Sequence, residues 1–544
     1  MEKSFVVSGK VVDVVNRQIT NARISVAEGK IVKIEPSEEV YENYILPGLI
    51  DAHVHIESSM MIPSSFARAA VKHGTVATVS DPHEIANVMG VPGVEFMIQN
   101  SKKVPFKFFF GAPSCVPATS FETSGAVISE KEIKTLLENP EIYYLAEMMN
   151  FPGVIYNDTE VVAKINHANA IKKPIDGHAP GLKGENLKKY ASFNISTDHE
   201  CTSVEEAIEK IKSGIKIQIR EGSAAKDFDK LFPLINKYPD NIMFCTDDCH
   251  PDDLIKGHIN KILKRAVEKG GDLFNVLAAA TINPVKHYNL PVGLLQIGDP
   301  ADFVVLKDLT SFDVLQTYID GKIVFDNGTG LINVINEKPI NKFHCNKISE
   351  KDILVPFNGG KIQVIVAKDG DLLTEKTIEK PLLKDNHVIS DIDKDILKIV
   401  IVNRYIESKP AIGFIKNFKL KSGAMAGSIA HDSHNIIAIG TNDSDIVKAT
   451  NRLIDNKGGI VACSDDKIVE LKLGVAGLMS TEQAEVIAEK YQRVNTFIKE
   501  LGSELTAPFM TMAFMALLVI PELKISDKGL FDVTKFEFTS LFVE

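Results

Sequence analysis

Leu46-Pro47-Gly48-Leu49-Ile50-Asp51-Ala52-His53-Val54-His55-Ile56-Glu57 decides how the rest of this 544-residue chain is read. An apolar run, Tyr44 to Ile50, leads into two histidines one residue apart. In an extended strand, residues i and i+2 point to the same side, so His53 and His55 aim two imidazoles at one spot at the end of a buried strand. Imidazole is the commonest metal-ligand side chain, and two converging ones make half a site. The chain has 14 histidines, enough for one His-x-His pair to arise by chance, so the weight of the reading rests on what lies around and downstream of it.

Downstream, from Ile45 to about Asn283, short β-branched or aromatic runs alternate with helical stretches such as Ser203 to Lys212 and Lys256 to Lys269. Eight candidate strands end in turn at His53–His55, at Asp81-Pro82-His83-Glu84, at Gly111, at Glu147, at Gly177-His178, at His199-Glu200, at Glu221-Gly222 and at Asp247-Asp248. Strand–helix alternation repeated eight times predicts an α/β fold, a (β/α)8 barrel over 46–284, with its polar strand ends on the face where such barrels carry their chemistry. The competing doubly wound sheet lacks a Gly-x-Gly-x-x-Gly after the first strand. Residues 1–45 alternate in short β-like runs, and 285–345 return to short strands that can complete them. The barrel is therefore expected to be inserted in a small split β-domain, followed by a C-terminal mixed α/β domain over 346–544.

The strand-end residues His53, His55, Glu147, His178, His199 and Asp247 supply four imidazoles and two carboxylates. Taken singly each has a bland reading: His178 after a glycine as a loop residue, Glu147 as a solvated strand end. Six polar strand ends on one barrel face are harder to dismiss together. Nitrogen and oxygen donors without thiolate suit Zn²⁺, Mn²⁺ or Fe²⁺. Six exceed the needs of one catalytic ion and suit two, about 3.5–4 Å apart, which lower the pKa of a shared water from about 15.7 towards 7. Glu147 can bridge such a pair, and Asp247 can take the proton and hand it to a leaving group.

Composition removes other classes. Lys+Arg number 61 against 72 Asp+Glu, a formal charge of −11, which argues against a nucleic-acid surface or an anionic-membrane binder. The six cysteines form no Cys-x-x-Cys and fit a reducing cytoplasm. The N-terminal stretch has no signal-peptide apolar region. The most apolar segment, Phe509 to Ile520, is shorter than the roughly 20 residues that span a bilayer, and reads as a buried helix or strand. A soluble homodimer is the simplest assembly.

Pro47 to His55, the later single histidines, the strand-eight aspartate and the Gly293 to Val305 segment resemble the amidohydrolase superfamily. His53 to Met61, Asp81 to Val88 and Gly423 to Gly440 resemble its bacterial and archaeal adenine deaminases most closely, so the likeness covers nearly the whole chain. The resemblance implies a purine-salvage hydrolysis, adenine and water giving hypoxanthine and ammonia. A metal-activated hydroxide would attack C6, and the protonated amine would then leave. It implies two divalent ions, Mn²⁺ or Fe²⁺, with Zn²⁺ chemically reasonable. His53, His55 and Asp247 would hold one ion, His178 and His199 the other, and Glu147 would be shared. Many superfamily members place a carboxylated lysine at the end of strand four; Glu147 stands there instead, as in the adenine deaminases, which weakens a hydantoinase-like reading. Asp248 is the neighbouring alternative to Asp247, which directly follows the Thr246 strand end.

Attack on C6 disrupts the ring, so a donor to a ring nitrogen is expected. His83 and Glu200 join Asp247 as catalytic candidates, and Asp81, Glu84 and Glu57 as substrate contacts. His83 can equally orient a ligand, and Glu57 can orient His55. His55-Ile56-Glu57 also matches half of the zinc base-deaminase signature, but its Pro-Cys-x-x-Cys partner is absent. His431-Asp432-Ser433-His434 reads as a third metal site, a lid, or a polar loop before the strand at Ile436 to Ile439, and stays outside the donor set. The remaining alternatives are another amidohydrolase acting on a cyclic amide or a different amino-heterocycle, and a non-catalytic metal-stabilised binding protein.

Overall fold

The computed structural model describes residues 4–223 and 225–544; the first three residues of the N-terminal stretch lie outside it. The chain forms two compact units. One comprises the described residues up to His83, Glu95–Ser114 and Ser129–Asn336; the other comprises Glu84–Val94, Cys115–Ile128 and Glu337–Glu544.

In the first unit the eight expected strands form at Leu49–Val54, Thr75–Ser80, Lys107–Ala112, Ile142–Met148, Ile175–Gly177, Thr197–Asp198, Lys216–Arg220 and Ile242–Cys245. They pair in parallel as a five-stranded and a three-stranded run. Two bridges close the ring, Ile175 to Ile195 between strands five and six, and Val54 to Asp247 between strands one and eight. Every residue of Leu49–Val54 and Thr75–Ser80 is buried, as strands covered on both faces require. Helices follow the strands where capping residues open them: the Ser203 hydroxyl accepts the Glu206 N–H at the head of Val204–Lys212. The helix expected over Lys256 to Lys269 forms as Ile259–Glu268, and a separate short helix, Pro251–Leu254, precedes it. Gly257 and the non-helical His258 (φ −137°, ψ −135°) separate them, and His258 turns its ring into the interior, beside Asp51.

The barrel is inserted in a split sheet. Tyr44–Pro47 pairs in parallel with Phe5–Asp13 on one side and antiparallel with Phe303–Leu306 on the other, so the chain enters and leaves the barrel through one eight-stranded sheet. The two layers share a core: Leu46, Val304, Leu306 and Phe312 pack in one cluster with Ile217, Phe244 and Leu263 of the barrel. Each such side chain, fully buried, contributes about 1.5–3 kcal/mol.

The second unit is built on a nine-stranded sheet. The helix Asp443–Asn456 lays Ile446, Ala449 and Leu453 against Ala424, Ala438 and Val461 of that sheet. The apolar segment Phe509 to Ile520 begins as the buried helix Pro508–Ala513 and continues as the single turn Phe514–Ala516. Among the described residues no helix is long and apolar enough to cross a membrane.

Candidate metal centre

All six strand-end donors meet inside the first unit. Glu147, in Ile142–Met148, is the hub. Its Oε1 lies 3.3 Å from His55 Nε2 and 3.2 Å from His83 Nδ1, and its Oε2 lies 2.9 Å from His178 Nδ1 and 3.1 Å from His199 Nε2. One carboxylate thus faces two pairs of imidazoles, one pair per oxygen. Asp247 Oδ1 lies 3.1 Å from His55 Nε2 and 3.5 Å from His53 Nε2. His53 and His199 stack with centroids 4.1 Å apart, which joins the two halves of the cluster. Asp247 sits in the left-handed region (φ 57°), a conformation Asp tolerates better than most residues. Backbone bonds hold it there: its N–H donates to the His53 carbonyl (2.9 Å) and its carbonyl accepts the His55 N–H (3.0 Å).

The neighbouring candidates are placed as follows. Asp81 is tied to both flanking histidines: its carbonyl lies 3.1 Å from His55 Nδ1 and its Oδ1 accepts the His83 N–H (3.0 Å). A carbonyl only accepts, so His55 carries its proton on Nδ1 and turns Nε2 towards Glu147 and Asp247. Asp248 is turned to Ser58, whose hydroxyl donates to its Oδ1. Glu57 is buried in the one-turn helix Ile56–Ser59. Glu200 Oε1 lies 3.5 Å from His199 Nε2 and 3.8 Å from His178 Nδ1.

Glu84, His431 and His434 come together within the second unit. Glu84 Oε1 lies 2.8 Å from His431 Nδ1, and its Oε2 pairs with His434 Nε2. The Ala430 N–H donates to His434 Nδ1 (3.3 Å), which leaves the His434 proton on Nε2, facing Glu84. That tautomer turns its N–H to the Glu84 carboxylate and is the wrong one for holding a metal through Nε2. His431 stacks on Phe514 with centroids 4.5 Å apart.

Arg220, which sequence reading passed over, closes strand seven and is buried. It grips Glu200 with both terminal nitrogens, donates to Asp247 Oδ2 (2.9 Å) and pairs with Asp227 (3.1 Å). The signal was available: Lys216-Ile217-Gln218-Ile219-Arg220 alternates at the strand period, placing Gln218 and Arg220 on one face.

Burial opposes charge throughout the cluster, and the neighbours override it. His199 and the hydrogen-bonded His178 hold Glu147 well below the carboxylate range. His53, His55 and His199 do the same for Asp247. Asp247 and Glu147 lift His55 well above the usual imidazole value, and Glu147 lifts His199 to about 9. His53, pushed down by burial and by the neighbouring His199, has neither ring nitrogen hydrogen-bonded although both are buried. A buried imidazole without a hydrogen bond, shared by two donor groups, His53–His55–Asp247 and His53–Glu147–His199, each within 4.8 Å, fits a divalent cation.

The fold and the cluster are those of a metal-dependent amidohydrolase, and residues 44–324 match the amidohydrolase family. Residues 371–537 match the adenine deaminase C-terminal domain. The chain is 54% identical to adenine deaminase of Methanosarcina barkeri over 98% of both chains, 52% to that of Borreliella burgdorferi over 98% and 99%, and 50% to that of Salinibacter ruber over the whole of both. The chain belongs to the adenine deaminase family.

Proposed function

We propose that this protein hydrolyses adenine to hypoxanthine and ammonia at a centre of two divalent cations, Mn²⁺ or Fe²⁺. The observation that carries the reading is full-length identity of 50–54% to adenine deaminases, joined to a donor cluster with glutamate, not lysine, at the end of strand four. His53, His55 and Asp247 would hold one ion and His178 and His199 the other, with Glu147 shared between them. Bound there, the cations lower the pKa of a water from about 15.7 towards 7, making a nucleophile at neutral pH.

The chain's own groups do the rest. Asp247 takes the proton of the attacking water and returns it to the departing amine. Arg220 keeps Glu200 ionised against its burial, so Glu200 accepts a hydrogen bond from a purine N–H and does not donate one. His83, whose backbone is fixed by Asp81, protonates the ring nitrogen and takes back the proton of the C6 hydroxyl as the carbonyl forms and ammonia leaves. The test is spectrophotometric: adenine added to metal-loaded protein should lose absorbance as hypoxanthine forms. An unchanged spectrum from protein that carries its two ions defeats the reading.

A further inference from the structure

Asp198 ends strand six and is fully buried. Its Oδ2 accepts the N–H of Ala179 (3.0 Å), and its Oδ1 accepts the N–H of Glu200 (2.9 Å). Ala179 follows His178 and Glu200 follows His199, so one carboxylate clamps the residue after each of two histidines on neighbouring strands. Lys210, in the helix that follows strand six, completes the clamp. Its Nζ lies 3.1 Å from Asp198 Oδ2 and donates to the Ala179 carbonyl (2.7 Å) and to Glu206 Oε1 (2.9 Å). Three ammonium protons meet three acceptors.

A second buried acid does the same for the other half. Asp51 Oδ1 accepts the N–H of His53 (3.3 Å) and of Thr246 (3.1 Å), and its Oδ2 accepts the Thr246 hydroxyl. Thr246 precedes Asp247. His258 Nε2 lies 3.0 Å from Asp51 Oδ2, and its Nδ1 lies 2.7 Å from Thr75 Oγ1. The two networks have no residue in common. A buried ion pair is weak evidence of stabilisation against an apolar isostere. What these pairs do is fix backbone next to donors.

We infer that Asp198, with Lys210, and Asp51, with His258, are positioning residues, each locking the strand ends that carry one half of the donor set, so that the two metal positions are held independently. The inference rests on the two-ion reading above. Groups that orient ligands without touching the metal typically change its affinity about 10–100-fold.

The test is equilibrium Mn²⁺ binding to the chelator-stripped full chain, read by element analysis and by electron paramagnetic resonance. Wild type should take up two ions with a spin-coupled spectrum. Lys210→Met should keep one ion at near wild-type affinity and bind the other about 10–100-fold more weakly, leaving the spectrum of isolated Mn²⁺. In a His178→Ala background Lys210→Met should have little further effect; in a His53→Ala background it should remove the remaining ion. Asp51→Asn should show the opposite background dependence. If Lys210→Met does not fold by circular dichroism, Asp198→Asn gives the same readout, since it keeps the volume but removes one acceptor. Equal weakening of both ions, no weakening, or reversed background dependence overturns the inference. A wild type that takes up fewer than two ions overturns the two-ion reading itself, and this inference with it.

Discussion

At the scale of single residues the centre is an arrangement of charges that burial alone would forbid. Without metal, protons hold the place of cations: His199 titrates at about 9, against an ordinary value of 6.5. A folded-state pKa above the unfolded one contributes stability that is fully present below about 6.5 and lost as pH rises through about 9. The metal-free protein should therefore melt at lower temperature at pH 9 than at pH 6.5. Metal uptake, which displaces those protons, should strengthen over the same interval. Thermal melts of chelated and Mn²⁺-loaded protein across that range check both signs, and a chelated protein that gains stability towards pH 9 would contradict the assignment. Arg220 faces Glu200, Asp247 and Asp227. Arg220→Met leaves these carboxylates buried without their cation, a loss of about 3–5 kcal/mol expected from denaturant titration.

At the scale of elements, the strand ends matter more than the strands. Strands five and six are only Ile175–Gly177 and Thr197–Asp198, and they carry His178 and His199 on the residues just beyond. Gly177 lets them approach: a Cβ there would stand 2.5 Å from the Thr197 carbonyl oxygen. Gly177→Ala should push the strands apart, costing about 1–3 kcal/mol and weakening metal retention; unchanged metal content after dialysis would show that the local backbone absorbs the methyl group. All eight strands were legible because each is a short β-branched or aromatic run bounded by turn residues. The start of the helix Ile259–Glu268 was less legible, because helical spacing begins at Lys256 and only the turn of His258 towards Asp51 delays it.

At the scale of the whole chain, the barrel and the split sheet of the first unit share one core cluster and are expected to unfold together. Leu46 lies in the sheet strand that runs into strand one, and it packs in the core cluster that contains Ile217 and Phe244. Leu46→Ala should cost about 2–5 kcal/mol. Denaturation followed by circular dichroism and by metal release should shift together, whereas metal release at an unchanged midpoint would mean that barrel and sheet unfold separately.

The amino-acid order by itself determined the strand–helix alternation, the polar residue at each strand end, and the glutamate where a lysine often stands. Those are local facts, set by hydrophobic period and by which residue follows each apolar run. The tertiary structure alone decided that Glu147 presents a different oxygen to each pair of imidazoles. It also decided that Arg220 neutralises Glu200 and Asp247, that Asp51 and Asp198 accept backbone N–H groups beside the donors, and that Glu84 is taken up by His431 and His434. Such pairings depend on distances between residues tens to hundreds of positions apart, and one sequence carries no measure of those distances until the chain has closed on itself.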